Sequence, residues 1–402
     1  MNVRRSAAAL AAVGVLAAAA PAMAAGPSPS PKVAIPSGLY GTSDPTYDGV
    51  WRQSLTLVAQ RTLGYRPAAS AVDWLAGQQC GNGAFAAFRA TPDKACDGKV
   101  MVDTNSTAAA VQALQAVGGH DAQVRKALVW LTNAQNKDGG WGYSPGGASD
   151  TNSTSVVIGA FAAVGQDPAR VRTGGKSPYD LLAAMSVPCD QDGGGALAFQ
   201  PDKKGKPAAN ADATAAGVLG ALGKGFVVQA GKAPAHAACT RAGHPGPAQV
   251  ADNAGAYLAA AVAKTGHLQS VLPGAKDRPD FGNTADAVVA LAADGRTEQA
   301  KASYAWLEKN ATQWAAQSGP AAYAQLILAA HAVGAQPGDF AGTSLVRSLN
   351  ELGPAPQMAA EQKQKTKSDS GSSFGVWWFV GVCLVAGIGV GFLISGRKKQ
   401  QP

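Results

Sequence analysis

Charge is scarce in this 402-residue chain: charged side chains make up 15% of it, against 46% hydrophobic. That balance excludes a wholly disordered protein. The 49 glycines follow no three-residue period, which excludes a collagen-like helix. Neither a basic helix nor an aromatic RNA-binding pattern is present, and nucleic acid is excluded as a partner. The net charge of +8 does not contradict this. Arg4 and Arg5 supply two of those charges, and residues 359–402, with six basic and two acidic side chains, supply four more. Only two remain for the rest of the chain.

The two ends carry what reads as an address. Residues 1–24 combine Arg4 and Arg5, an apolar run from Ala7 to Ala20 and small residues at Ala22 and Ala24, the layout of a secretory signal peptide. Residues 25–44 are Pro- and Ser-rich and read as a flexible lead-in. Near the other end, 374–394 is uncharged and long enough to span a bilayer as a helix, with Trp377 and Trp378 at its start. A polar stalk, 351–373, precedes it, and a basic tail, 395–402, follows. No Leu-Pro-x-Thr-Gly-like motif is present. The expectation is a single-pass cell-membrane protein with its N-terminal domain outside and its C-terminus cytoplasmic.

Cysteine is equally sparse. Cys383 lies in the expected span, which leaves Cys80, Cys96, Cys189 and Cys239. An even number in an oxidising compartment implies two disulfides. Three pairings are open, and sequence locality favours Cys80–Cys96 with Cys189–Cys239. No CxxC or HxxxH spacing accompanies these cysteines, so no metal site is expected.

What the chain does have is a repeat. Asp103 to Thr107 (DTNST), Asp150 to Thr154 (DTNST), Asn210 to Thr214 (NADAT) and Asp280 to Thr284 (DFGNT) each open an alanine-rich apolar stretch. Trp74-Leu75, Gln79 and Gly83-Ala84-Phe85 precede the first copy. Trp130-Leu131, Gln135 and Gly139-Gly140-Trp141 precede the second. No long alternating strand pattern intervenes. Periodicity and capping residues predict helices over 47–62, 67–79, 104–117, 120–134, 151–164, 178–186, 211–223, 248–264, 282–293, 296–310, 319–334 and 339–349. Twelve helices make six hairpins within one all-α domain, 45–350. The small-residue helices suit the inner ring of an α/α toroid, with an open superhelix as the alternative.

The Trp-Leu, Gln, Gly-Gly-Trp pattern resembles the QW repeat of squalene and terpene cyclases. That superfamily also holds prenyltransferase β-subunits, thioester domains and cobalamin carriers such as intrinsic factor and transcobalamin. The resemblance implies an α/α toroid. It does not carry over an activity, because the Asp-x-Asp-Asp acid of the cyclases, the prenyltransferase zinc ligands and the thioester Gly-Cys-Gly-Glu-Gln are all missing here.

Asp103, Asp150, Asn210 and Asp280 read first as helix N-caps. If their helices share a direction, these residues also ring one mouth of the toroid, where helix N-termini favour anionic or acceptor groups. Phe85, Trp141, Tyr143 and Phe199, in or beside the glycine loops, are candidate aromatic contacts there. The functional expectation is non-catalytic capture of a small molecule or cell-envelope component at this mouth, with a membrane transporter as a further partner. The carrier resemblance makes a corrinoid or other vitamin-like compound the sharpest version of that ligand. The alternatives are a cyclase-like, prenyltransferase-like or carbohydrate-active enzyme, and a structural protein-interaction module.

Overall fold

The computed structural model describes residues 34–270 and 278–358. The chain divides into two units, Met1–Ala359 and Ala360–Pro402, and every described residue belongs to the first. Among the described residues thirteen α-helices dominate: α1 (Gly49–Thr62), α2 (Ala69–Gly77), α3 (Thr104–Val117), α4 (Asp121–Asn133), α5 (Thr151–Ala163), α6 (Pro178–Met185), α7 (Ala211–Ala221), α8 (Pro247–Val262), α9 (Phe281–Ala293), α10 (Thr297–Asn310), α11 (Thr312–Ser318), α12 (Pro320–Val333) and α13 (Leu345–Asn350). Four two-residue strands pair antiparallel: β1 (Tyr65–Arg66) with β4 (Gln357–Met358), and β2 (Phe85–Ala86) with β3 (Val102–Asp103).

Helix neighbours define the architecture. α1 packs on α3, α3 on α5, α5 on α7, α7 on α9, α9 on α12, and α12 back on α1. Six inner helices thus close a ring, which decides against an open superhelix. The outer helices α2, α4, α6, α8, α10 and α13 each lie between or beside inner ones. Alanine suits the inner helices twice over. It has the highest helix propensity, and it lets neighbouring backbones approach. Ala108, Ala110, Ala285, Ala287 and Ala290 are fully buried.

The repeat explains how loop and helix lock together. The first residue of each motif caps its helix: Asp103, Asp150, Asn210 and Asp280 accept hydrogen bonds from the backbone N–H of Ser106, Ser153, Ala213 and Asn283. The threonine four residues on anchors the preceding loop. Thr107 accepts from the N–H of Phe85 (2.9 Å), Thr154 from Trp141 (3.0 Å), Thr214 from Leu197 (2.9 Å) and Thr284 from Leu268 (3.0 Å). Gln53 does the same in the first repeat, accepting from the N–H of Tyr40 at 3.0 Å. The glutamines of the QW pattern hold the loop from the other side. Gln79 donates to the carbonyls of Gly83 and Gln123, and Gln135 to those of Gly139 and Val171. Gly139 sits at φ +89°, and a Cβ there would fall 2.2 Å from the Ser177 carbonyl oxygen, so both its backbone and its neighbour require glycine. Thr107→Val should therefore cost about 1–3 kcal/mol in urea denaturation, because it strands the buried Phe85 N–H, and Thr107→Ser should recover most of the loss.

The ends of the ring are tied to each other. Gln60, on α1, donates to both Tyr40 Oη (2.9 Å) and Asn350 Oδ1 (2.9 Å), and the Tyr40 hydroxyl donates to the Pro354 carbonyl. Leu39 and Tyr40 are buried, so the second half of the expected lead-in is built into the ring, as are residues 351–358 of the expected stalk through β4. The disulfides are Cys80–Cys96 and Cys189–Cys239.

Two helix expectations need correction. α11 was not anticipated. The last helix begins at Leu345 instead of 339, because Phe340 and Thr343 exchange backbone hydrogen bonds around a turn. The membrane placement is corrected as well: among the described residues no helix is long and apolar enough to cross a membrane. The expected signal peptide, 1–24, and the expected span, 374–394, lie outside the described residues.

Candidate ligand site

The anchoring threonines set a common frame for the inner helices. Each faces the loop behind it, so positions two before and two after, about 200° around the helix, face the opposite way, into the lumen. The earlier positions are Trp51 (from Gln53 in α1), Asn105, Asn152, Asp212 and Gly282. The later ones include Asp286 in α9. Gln325, five residues into α12, lies beside it.

These side chains form a polar belt. Asn152 Nδ2 donates to Asp212 Oδ2 at 3.0 Å, from α5 to α7. Gln325 Nε2 donates to both oxygens of Asp286, at 3.2 and 3.3 Å, from α12 to α9. The belt thus runs across four consecutive inner helices. Burial pushes the Asp286 carboxyl up to about 7, reinforced by the charge of Asp212, opposed by the Gln325 hydrogen bond and raised slightly further by Asp280. Asp212 is also raised by burial, with its hydrogen bond to Asn152 lowering it and Asp280 raising it. Neither carboxyl forms an ion pair among the described residues. The side-chain oxygens of Asn105 and Asn152 are buried without a hydrogen-bond partner.

One side of the lumen is aromatic. The segment after α7 leaves the wall and crosses the ring. The Phe226 N–H donates to Gln112 Oε1 of α3 at 2.9 Å, and Gly225 lies against Gly159 of α5, where a Cβ would come within 2.9 Å of the Gly225 Cα. The Phe226 ring meets Trp51 of α1 edge to face, with centroids 5.6 Å apart. α1 stands opposite α7 in the six-membered ring, so this segment, here called the plug, reaches from the C-terminal end of α7 across to the far wall. At the other end, Trp314 stacks on Phe281 (5.7 Å), which stacks on Trp306 (5.4 Å). A Cβ on Gly282 would touch both Trp314 and Gln325, at 3.6 and 3.9 Å. The indole therefore stands beside the belt.

The sequence-derived candidates fall around this site rather than in it. Asp103, Asp150, Asn210 and Asp280 all lie at the N-terminal end of their inner helices, as expected, and each caps its own helix. Asp103 and Asp150 are almost fully buried, and burial lifts both to about 6 against the hydrogen bonds from Ser106 and Ser153. The expectation of an anion-friendly mouth is corrected on this geometry. In α3 and α5 the first N–H is already taken, since Thr104 and Thr151 donate to the Tyr143 and Phe199 carbonyls. Phe85 and Trp141 are corrected too. Both are fully buried, and Trp141 donates its indole N–H to the Leu131 carbonyl at 2.7 Å, so neither reaches a ligand. Tyr143 is half-buried beside Asp103, and Phe199 is 40% exposed. Asn152, in the first turn of α5, donates across to Asp212.

Asp212, Asp286, Gln325, Trp51, Phe226 and Trp314 were not anticipated. For the two aspartates a signal existed: each is a carboxylate in a helix otherwise made of small and apolar residues.

No family model matches the chain, and no curated protein matches it. Among solved structures it is similar to the ligand-free type II terpene cyclase MstE from Scytonema, with 15% identity, 65% of this chain and 68% of that one covered, and a TM-score of 0.42. A variant of the same enzyme in complex with its substrate, geranylgeranyl dihydroxybenzoate, matches at 13% identity, the same coverage and a TM-score of 0.40. A protein from Actinoplanes matches at 14% identity over 69% of this chain and 98% of that one, with a TM-score of 0.33. These similarities do not show the resemblance to cobalamin carriers.

Proposed function

We propose that this protein binds a small molecule in the lumen of its ring, between the Asp212–Asp286 belt and the Trp51–Phe226 wall. The observation that carries the reading is the belt itself. Two desolvated carboxyls, with orphaned amide oxygens beside them, are costly in a chain that folds for structure alone, and such groups concentrate where a ligand completes their bonding. Acceptors predominate among the free valences, so the ligand is a hydrogen-bond donor with an apolar face. A diphosphate or other anion is disfavoured there.

An acid-catalysis reading has one specific observation in its favour: Asp286 exchanges its proton at about pH 7, where a general acid works best. Binding is the simpler reading, because it needs only the belt.

Native mass spectrometry of the full chain, purified without denaturant, tests the proposal. The expected result is a bound compound that is lost in Gly282→Leu, whose side chain fills the space beside Trp314 and Gln325. A compound released chemically changed would favour the enzyme. Spectra free of any compound, together with no binding from a library of donor-rich small molecules, would overturn both readings.

A further inference from the structure

Resting on the lumenal-site reading above, we infer that the ligand carries a protonated amine, which seats between Asp212 and Asp286 while its apolar part lies against Trp51 and Phe226. Three observations converge. The first is an unmatched charge. The charge of Asp212 acts on Asp286, and Asp280 at the start of α9 acts on both. No lysine, arginine or histidine is among the groups acting on either carboxyl, and no ion pair among the described residues involves them. Two other buried carboxylates are treated differently: Asp252 and Asp294 share Arg296 at 3.0 and 2.8 Å. Asp103 and Asp150 are also buried without an ion pair among the described residues, but each accepts a capping backbone N–H, at 2.6 and 2.7 Å. Asp212 and Asp286 have a side-chain amide in place of either a cation or a cap.

The second observation is independent of charge. The Asn152 side-chain oxygen is buried with no partner, although its amide nitrogen is fixed on Asp212. The Asn105 oxygen is orphaned in the corresponding position of α3. An ammonium group has three donors and no acceptor, and it matches a site whose unfilled positions are acceptors. A neutral polyol supplies donors but leaves the charge unanswered.

The third is the opposite wall. Trp51 and Phe226 present an edge-to-face aromatic pair to the same lumen. Aromatic faces and carboxylates together are the means by which proteins hold organic cations.

The test uses matched pairs of probes with the full chain at pH 8: benzylamine against benzyl alcohol, cyclohexylamine against cyclohexanol, and cadaverine against 1,5-pentanediol. Calorimetric titration should give at least one amine that binds tenfold or more tightly than its alcohol. That preference should fall below threefold in the Asp212→Asn, Asp286→Asn double variant, which keeps both side-chain shapes. Equal binding of amine and alcohol would overturn the ammonium assignment and leave the lumenal site standing. Absence of binding by every probe at millimolar concentration, with unchanged tryptophan fluorescence, would overturn both. An amine preference that survives the double variant would place the cation elsewhere and also overturn the assignment.

Discussion

Asp286→Asn should raise the stability of the folded chain at pH 8 by on the order of 2–3 kcal/mol and leave it unchanged at pH 4. An unfolded chain releases the proton of this carboxyl near 3.8, whereas the fold holds it to about 7. Between those values the native state binds a proton that the unfolded state has lost. The contribution is fully present below pH 4 and disappears as the pH rises through 7. Above that, the wild-type protein keeps a desolvated carboxylate in the field of Asp212, with only Gln325 to solvate it. Asparagine accepts the same Gln325 hydrogen bond without the charge. Urea denaturation of both proteins at the two pH values decides the matter. A variant less stable than wild type at pH 8 would show that a cation already neutralises Asp286. Asp212→Asn should act in the same direction.

That a carboxylate without an ion pair persists in this desolvated interior is the strongest physical argument for a ligand. It also shows how far the amino-acid sequence could be read. The toroid was legible because each hairpin repeats its own local chemistry. Asp150 caps, Thr154 anchors the loop that ends in Trp141, and Gln135 clamps that loop, all within 20 residues. The helix boundaries followed from the same local signals to within a few residues, except around α11 and the turn before α13. The lumen is a different kind of object. Asp212 and Asp286 are 74 residues apart and come into one another's field because α7 packs on α9. A helix-by-helix reading ranks a single carboxylate on an alanine-rich helix as a solvated position. Counting two residues either side of each anchoring threonine would have brought both to the lumenal face. The caps drew attention instead because they repeat, yet repetition here marks construction: every hairpin needs its cap, and only some carry the belt. Phe226 gave no signal at all. It lies in a glycine- and proline-rich stretch that reads as a surface loop, and only its contacts with Gln112, Gly159 and Trp51 send it into the ring.

The plug supplies the other large effect. Converting Cys189 and Cys239 together to serine should lower stability by about 4 kcal/mol, and converting Cys80 and Cys96 by about 3 kcal/mol, because the bridges close loops of 50 and 16 residues and the longer one restricts the unfolded chain more. Denaturant titration of the two variants gives both figures. The longer bridge has a local consequence as well. Between α7 and α8 the chain is held at four places besides the hydrogen bond of the Thr240 N–H to Asn253 next to the disulfide. The Phe226 N–H is on Gln112, the Gly231 N–H is on the Ala292 carbonyl at 2.8 Å, His236 meets Asp252 at 2.9 Å, and Cys239 is bonded to Cys189. Arg296 braces the third point, donating to the His236 carbonyl and to Asp252. The disulfide is the outermost of these, and the plug is the innermost. Removing it should therefore raise hydrogen exchange first over 236–246, with the Phe226 amide still protected by the Gln112, Gly231 and Arg296 contacts. If Phe226 instead loses protection in step with that outer segment, the disulfide alone holds the plug in place, and reduction of one bond would open the lumen from its C-terminal end.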